Sequence, residues 1–264
     1  MAVRNLDKGK EALTKLKSKN PGAQLELMQL DLSDFESIIS FSNAFHLKHS
    51  KLHVLICNAG IMKPAKRELT KQNFEVQFGI NHLGHFLLTG LLLDILKNTP
   101  DSRVAVQSSL LHKQESSRPD IYFDDLNFEK NYSCGRSYAQ SKLANLLFAY
   151  ELDRRLKANN INITVTAAHP GYSKTNLQRT SGILVTAIFN NLLGQSKKIG
   201  ALPILRAATE DHLKGAEYFG PTKMNEMRGY PELVKSSEKS YNKELARKLW
   251  EVSEKLTGRP YNFN

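Results

Sequence analysis

Two cysteines in 264 residues exclude a disulfide-stapled scaffold. Cys57 falls in an apolar run that reads as a buried strand, and Cys134 in a loop, so two free thiols in a reducing, cytoplasmic setting are expected. No apolar stretch reaches the roughly 18 residues that a membrane-spanning helix needs. The polar, charged start has no apolar signal core and gives no support for secretion. His82, His85, His112 and His169 have no carboxylate or cysteine partners at ligand spacing, so no metal site is expected. Ser109 stands near His112, but the Gly-x-Ser-x-Gly elbow of a serine hydrolase is absent.

Acidic residues are outnumbered, 26 against 37 Lys and Arg, for a formal net charge of +11. The lysines are spread through residues 8–19, 63–71 and 235–248 and are mixed with Glu, the pattern of solvated helix faces. With no aromatic-interleaved basic stripe, nucleic acid is not expected as a partner.

What is present is an alternation of strand and helix patterns in a length that suits one α/β domain. Residues 5–19 read as an amphipathic helix and the run 24–30 as a strand. Asp31-Leu-Ser-Asp34 supplies a capping start for a helix from about 35 to 48. A strand at 52–57 leads to a long helix from about 70 to 97, interrupted near Gly79 and Gly84. A strand at 103–107 is followed by a polar segment, 112–134, longer than an ordinary connection and of the kind that carries function. Next come a helix at 136–158, a strand at 161–167, helices near 183–194 and 198–210, a short segment at Glu217–Gly220, and a final helix near 241–256. No internal repeat or low-complexity linker is present.

Within the helix 136–158, Tyr138 and Lys142 stand four apart in Ser137-Tyr-Ala-Gln-Ser-Lys142, on one face. An ammonium beside a phenol favours the phenolate, so Tyr138 is expected to titrate below its reference value of about 10 and to move protons near neutrality. The spacing alone is common in helices; the surrounding polar clusters give it weight. Asn58-Ala59-Gly60 ends one strand, Ser108-Ser109 another, and His169-Pro170-Gly171 a third, with Thr175 soon after and Asn81 in the long helix. Each cluster follows the carboxyl end of a strand, where open α/β sheets bind ligands.

On these motifs the chain resembles the short-chain dehydrogenase/reductases, and most closely their retinol-dehydrogenase-like and WW-domain-oxidoreductase-like members. The resemblance runs from Arg4-Asn5 to the terminal Trp250–Gly258. It implies one domain over residues 1–264, with a Rossmann-like doubly wound parallel sheet. It also implies an N-terminally incomplete one. The family's first strand, glycine-rich turn and first helix have no counterpart, and Met1–Arg4 resembles only the end of its second strand. Thr89-Gly90 and Thr257-Gly258 do not join a strand to a helix with further glycines at the needed spacing. A misplaced start codon, a truncated isoform and a pseudoenzyme would each account for this. In the strand order 3-2-1-4-5-6 the absent strands lie between the run 24–30 and the strand 52–57, so two apolar edges should face a gap, a hazard for stability and solubility. Without the turn, the pyrophosphate lacks its backbone cradle and NADP should bind poorly to the chain as written.

The resemblance assigns roles residue by residue. Tyr138 is the general acid or base, and Lys142 tunes it while holding the nicotinamide ribose. Ser109 hydrogen-bonds the substrate oxygen, and Asn81 completes a proton relay through its backbone and a water. Asp31 and Leu32 resemble the adenine-contacting pair, and Asn58, Ala59 and Gly60 the turn beside the adenosine ribose. Pro170, Gly171 and Thr175 match the nicotinamide-amide segment, although Ser173 replaces the branched apolar residue expected there. Arg4 matches the basic position that receives a 2′-phosphate, so NADP is expected over NAD. The implied function is alcohol/carbonyl interconversion on an apolar small molecule; the alternative is a non-catalytic fragment. The apolar run Gly182–Leu193 has two readings, an interfacial membrane helix and a lid over the substrate, and the lid is preferred while peripheral membrane contact stays open.

Overall fold

A computed structural model of the chain describes residues 1–62, 64–172 and 195–263. Strand β1 (Ala2–Val3) pairs in parallel with β2 (Met28–Gln29). Between them lies helix α1 (Leu6–Lys19), started by Asn5, whose side chain accepts from the Lys8 N–H at 2.9 Å. The run 24–30 therefore forms less strand than its apolar pattern suggests. A ladder needs a partner, and among the described residues only Met1–Val3 offers one, through bonds such as Leu30 N–H to the Val3 carbonyl at 2.9 Å. Helix α2 (Phe35–Lys48) begins where the sequence places it, capped by Asp34.

The main sheet holds β3 (Val54–Cys57), β4 (Ser102–Gln107), β5 (Ile163–Ala168), β6 (Tyr218–Lys223) and β7 (Arg228–Leu233), in that spatial order. The first four are parallel, and β7 runs antiparallel to β6. This is the α/β, Rossmann-like architecture expected. Among the described residues no ladder joins β1–β2 to the main sheet, so a break falls between the run 24–30 and β3. Among the described residues nothing pairs with the outer edge of β3, and Val54 and Ile56 there are 37% and 40% exposed.

The long helix begins later than expected. α3 (Val76–Phe78) passes through a π turn (Gly79–Leu83) into α4 (Gly84–Leu91) and α5 (Leu93–Lys97). The interruption read at Gly79 and Gly84 is thus a wide turn, and Asn81 sits in it. Helix α6 (Cys134–Ala158) starts two residues early, so Cys134 opens a helix instead of lying in a loop. α6 is the central pillar: it packs on β5 and on the last helix, α8 (Lys243–Thr257), where Phe86, Phe148, Trp250 and Tyr261 form one aromatic core. Helix α7 (Lys197–Thr209) covers the other face of β4 and β5. The helix read at 183–194 lies outside the described residues.

The β6–β7 hairpin extends well beyond the short segment read at Glu217–Gly220. Pro221 and Pro231 pair across it, and proline inside a run argues against strand. Its turn carries none of the usual Gly signals; Met224, Asn225 and Glu226 themselves adopt positive φ.

An unpaired apolar edge invites strand-to-strand association. Val54→Lys is therefore expected to reduce concentration-dependent self-association of the 264-residue chain, followed by light scattering, with little change in Tm. Unchanged scattering would show that the β3 edge is not the sticky surface.

Candidate active site

The carboxyl ends of β3, β4 and β5 open on one side into a cleft of about 520 Å³. Asn58, Ala59 and Gly60 line it from β3, Gln107 and Ser108 from β4, and Pro170 from β5. Tyr138 and Lys142 enter from α6, and Lys197, Gly200, Ala201 and Ile204 from α7. The expected Tyr/Lys pair and members of all three strand-end clusters thus meet in one place. Ser109 caps the short 3-10 turn that follows β4, its Oγ accepting from the Leu111 N–H at 3.4 Å, and its hydroxyl acts to lower the pKa of the Tyr138 phenol.

Lys142 is 4% exposed. Among the described residues its ammonium has one hydrogen bond, to the Gln107 carbonyl at 3.3 Å, and no acidic partner. Burial pulls its pKa down from 10.5 to about 8. Keeping it charged near neutrality therefore costs on the order of 3 kcal/mol. A buried cation left this poorly compensated is the mark of a position kept for a ligand.

The phenol behaves differently from the sequence expectation. Burial pushes Tyr138 up to about 12, and the neighbouring Ser109 hydroxyl only partly opposes it. The Lys142 ammonium lies 5.7 Å from the centre of the Tyr138 ring, over its face, and the ring is 6% exposed. Desolvation of the phenolate wins over the nearby charge. Tyr138 is accordingly held protonated at neutral pH in the chain alone.

Asn81 is fully buried, and its carboxamide is committed to structure. Its Oδ1 accepts from the Ile61 N–H at 2.8 Å, and its Nδ2 donates to the Ile61 carbonyl and to Ser141 Oγ, each at 3.0 Å. The π turn so clamps the end of β3 to α6 beside Lys142; such turns are frequent at functional sites. A Cβ on Gly60 would lie 2.8 Å from Asn81 Oδ1 and 3.6 Å from Lys142 Nζ. His85, kept neutral by burial with its pKa lowered to about 4, donates from Nε2 to the Ala59 carbonyl at 2.8 Å.

The adenine-side residues are less gathered. Asp31 folds into its own turn, Oδ1 accepting from Ser33 N–H at 2.9 Å and Ser33 Oγ at 2.6 Å. Leu32 is buried in the core beneath α2, and Arg4 is exposed just after β1. None of the three lines the cleft. Gly171 follows Pro170 with φ of 63°, a left-handed conformation that suits glycine. Thr175 and Ser173 lie outside the described residues, as does the run Gly182–Leu193. Reading the sequence placed Ser108 at a strand end without a role of its own and missed Ile61, Gln107, Lys197, Gly200, Ala201 and Ile204. Gln107 and Ser108 directly precede Ser109 at the same strand end, which is a usable signal. The α7 residues carry none, because only packing brings that helix over the sheet.

Among the described residues no cluster of His, Cys, Asp or Glu could hold a metal ion. A nicotinamide ribose, by contrast, fits what is present: an ammonium without a counter-ion, a buried Gln107 Oε1 with no partner, and a floor at Gly60.

The short chain dehydrogenase family model matches residues 1–122. Retinol dehydrogenase 14 of Homo sapiens is 41% identical over 242 residues, spanning 89% of this chain and 67% of that protein. Retinol dehydrogenase 11 of Mus musculus is 36% identical over 265 residues, spanning 100% of this chain and 79% of that protein. Among solved structures, an uncharacterized protein from Mycobacterium paratuberculosis aligns with a TM-score of 0.79 and 38% identity, over 99% of this chain and 84% of that one. The chain belongs to the short-chain dehydrogenase/reductase family, in its retinol-dehydrogenase-like subgroup, a family of oxidoreductases that use NAD(P).

Removing an uncompensated buried charge stabilises a fold when a side chain of similar volume replaces it. Lys142→Met is expected to raise Tm by several degrees in a thermal melt near pH 7. A lower Tm would show that the ammonium is better satisfied than its contacts indicate.

Proposed function

We propose that this chain interconverts an alcohol and a carbonyl on an apolar small molecule with NADP, working as one domain over residues 1–264. The observation that carries the reading is the buried Lys142 ammonium, without a counter-ion among the described residues, beside Tyr138 at the carboxyl ends of the parallel strands. Tyr138 acts as the general acid on the substrate oxygen, and its protonated state at neutral pH suits reduction of the carbonyl. Ser109, whose hydroxyl acts to lower the phenol's pKa, holds the same substrate oxygen. Lys142 holds the nicotinamide ribose, and Asn81 contributes its backbone to a proton relay while its side chain braces Ile61. Pro170, Gly171 and Thr175 receive the nicotinamide amide. Bound cofactor supplies the hydride, and the protein supplies position and electrostatics.

Asn58, Ala59 and Gly60 flank the adenosine ribose, with Asp31 and Leu32 on the adenine side. Arg4, exposed after β1, is free to meet a 2′-phosphate, which favours NADP over NAD. The names of the retinol dehydrogenase relatives make a retinoid-like alcohol or aldehyde the first substrate to try, and Ile61, Ala201 and Ile204 give the cleft apolar walls. Two free thiols suit the cytoplasm, and no helix among the described residues is long and apolar enough to cross a membrane. The alternative of a non-catalytic fragment gains no support from relatives that are named as dehydrogenases.

The test is turnover of an apolar aldehyde with NADPH by purified protein. Tyr138→Phe is expected to lower kcat by about 10²–10⁴-fold, the range for a positioned acid; undiminished turnover would remove it from the role. Arg4→Ala should weaken NADPH by tenfold or more and leave NADH nearly unchanged, read by titration of cofactor fluorescence. Equal losses for the two cofactors would free Arg4 of the phosphate.

A further inference from the structure

We infer that Glu226, on the turn of the β6–β7 hairpin, is a positioning residue that ties together the two strand ends carrying Ser109 and Pro170-Gly171. Its carboxylate uses one oxygen for each. Oε1 accepts from Lys113 Nζ at 2.7 Å, and Oε2 accepts from His169 Nε2 at 3.0 Å. Lys113 directly follows the turn capped by Ser109, and His169 directly follows β5, immediately before Pro170.

The imidazole geometry makes this a directed contact. The Gly171 N–H donates to His169 Nδ1 at 3.2 Å, so the ring proton sits on Nε2 and points at Glu226. His169 is fully buried, and burial lowers its pKa, so the neutral ring with one fixed tautomer makes the contact. Room for the ring is provided by Gly220 on β6, where a Cβ would stand 2.0 Å from His169 Nε2. On the other arm, His112 donates from Nδ1 to the Ser109 carbonyl at 2.6 Å and accepts from the Ser237 N–H at Nε2, 3.1 Å away. The segment after Ser109 is thereby held from both sides.

The hairpin reinforces the same strand end through its backbone. Tyr172 N–H donates to the Met227 carbonyl at 2.8 Å, and a Cβ on Gly171 would lie 2.5 Å from that carbonyl oxygen. Gln195 donates to the Pro170 carbonyl at 2.7 Å and accepts from the Gly229 N–H at 3.2 Å. Three successive non-glycine residues at positive φ, Met224, Asn225 and Glu226, bring the carboxylate inward. A backbone cost of this kind persists where surrounding contacts over-determine it, and it concentrates at functional sites. Salt bridges on a surface contribute little. This one has a fully buried partner and joins three separate stretches of chain.

The experiment compares wild type, Glu226→Ala, Glu226→Gln and Gly220→Ala as full 264-residue chains by hydrogen exchange without cofactor, and then by steady-state kinetics. Glu226→Ala should speed exchange at least tenfold in both 109–113 and 169–172, while β4 around Val104–Val106 keeps its protection. Gly220→Ala, which displaces only the imidazole, should release 169–172 and leave 109–113 protected. Glu226→Gln, with one acceptor oxygen left, should fall between. In turnover, where the inference rests on the oxidoreductase reading, Glu226→Ala should raise the cofactor KM by about tenfold with a smaller change in kcat, at a temperature where every variant is folded. Unchanged exchange in either segment, or loss of protection throughout the sheet, would overturn the inference. A wild type without turnover would count against the oxidoreductase reading alone, because the exchange pattern is read without it.

Discussion

The ammonium of Lys142 has to stay in a dry place next to a phenol, and much of the surrounding structure serves that requirement. It is carried on α6, the most deeply packed helix, so its stem cannot swing out to water. Among the described residues the strand-end carbonyl of Gln107 and the face of the Tyr138 ring are what answer its charge. Asn145 Nδ2 draws on the same carbonyl at 2.9 Å, which fixes that oxygen while dividing its capacity. The result is a charge that the fold tolerates and a ligand can satisfy. Function and stability pull in opposite directions at such a position.

Around this point the walls are held by buried polar contacts whose members are far apart in sequence. Asn81 reaches Ile61 and Ser141, and Ser108 donates to the Lys142 carbonyl at 2.8 Å. His85 secures Ala59, and Glu226 secures the far side through Lys113 and His169. These groups leave few free donors or acceptors of their own, so the open valences deep in the cleft include those of Lys142 and Gln107 Oε1. A site with rigid, satisfied walls and a small number of unsatisfied groups presents those groups in one geometry.

How much of this was legible in the sequence depends on the kind of signal. Periodicity and capping are local, and they placed α1, α2, α6 and α8 to within a few residues. The Tyr138/Lys142 pair and the strand-end clusters at Asn58, Ser109 and Pro170 were legible because each sits at a fixed offset from an element boundary. The run 24–30 was over-read, since alternation shows which face is apolar but not whether a neighbour exists to pair with. β7 was missed, because paired prolines and a turn without glycine contradict the usual local rules and are sustained by contacts elsewhere.

The sequence by itself determined the α/β class, the family likeness, the residues able to do acid–base chemistry, and their place at the ends of strands. All of these are set by spacing along the chain. Only the tertiary structure decided the protonation of Tyr138, the depressed pKa of Lys142, the clamping role of Asn81 and the reach of Glu226. Each of those depends on how much water a group loses and which distant atoms replace it. Burial and long-range hydrogen bonding are properties of the packed molecule, and no pattern of neighbouring residues encodes them.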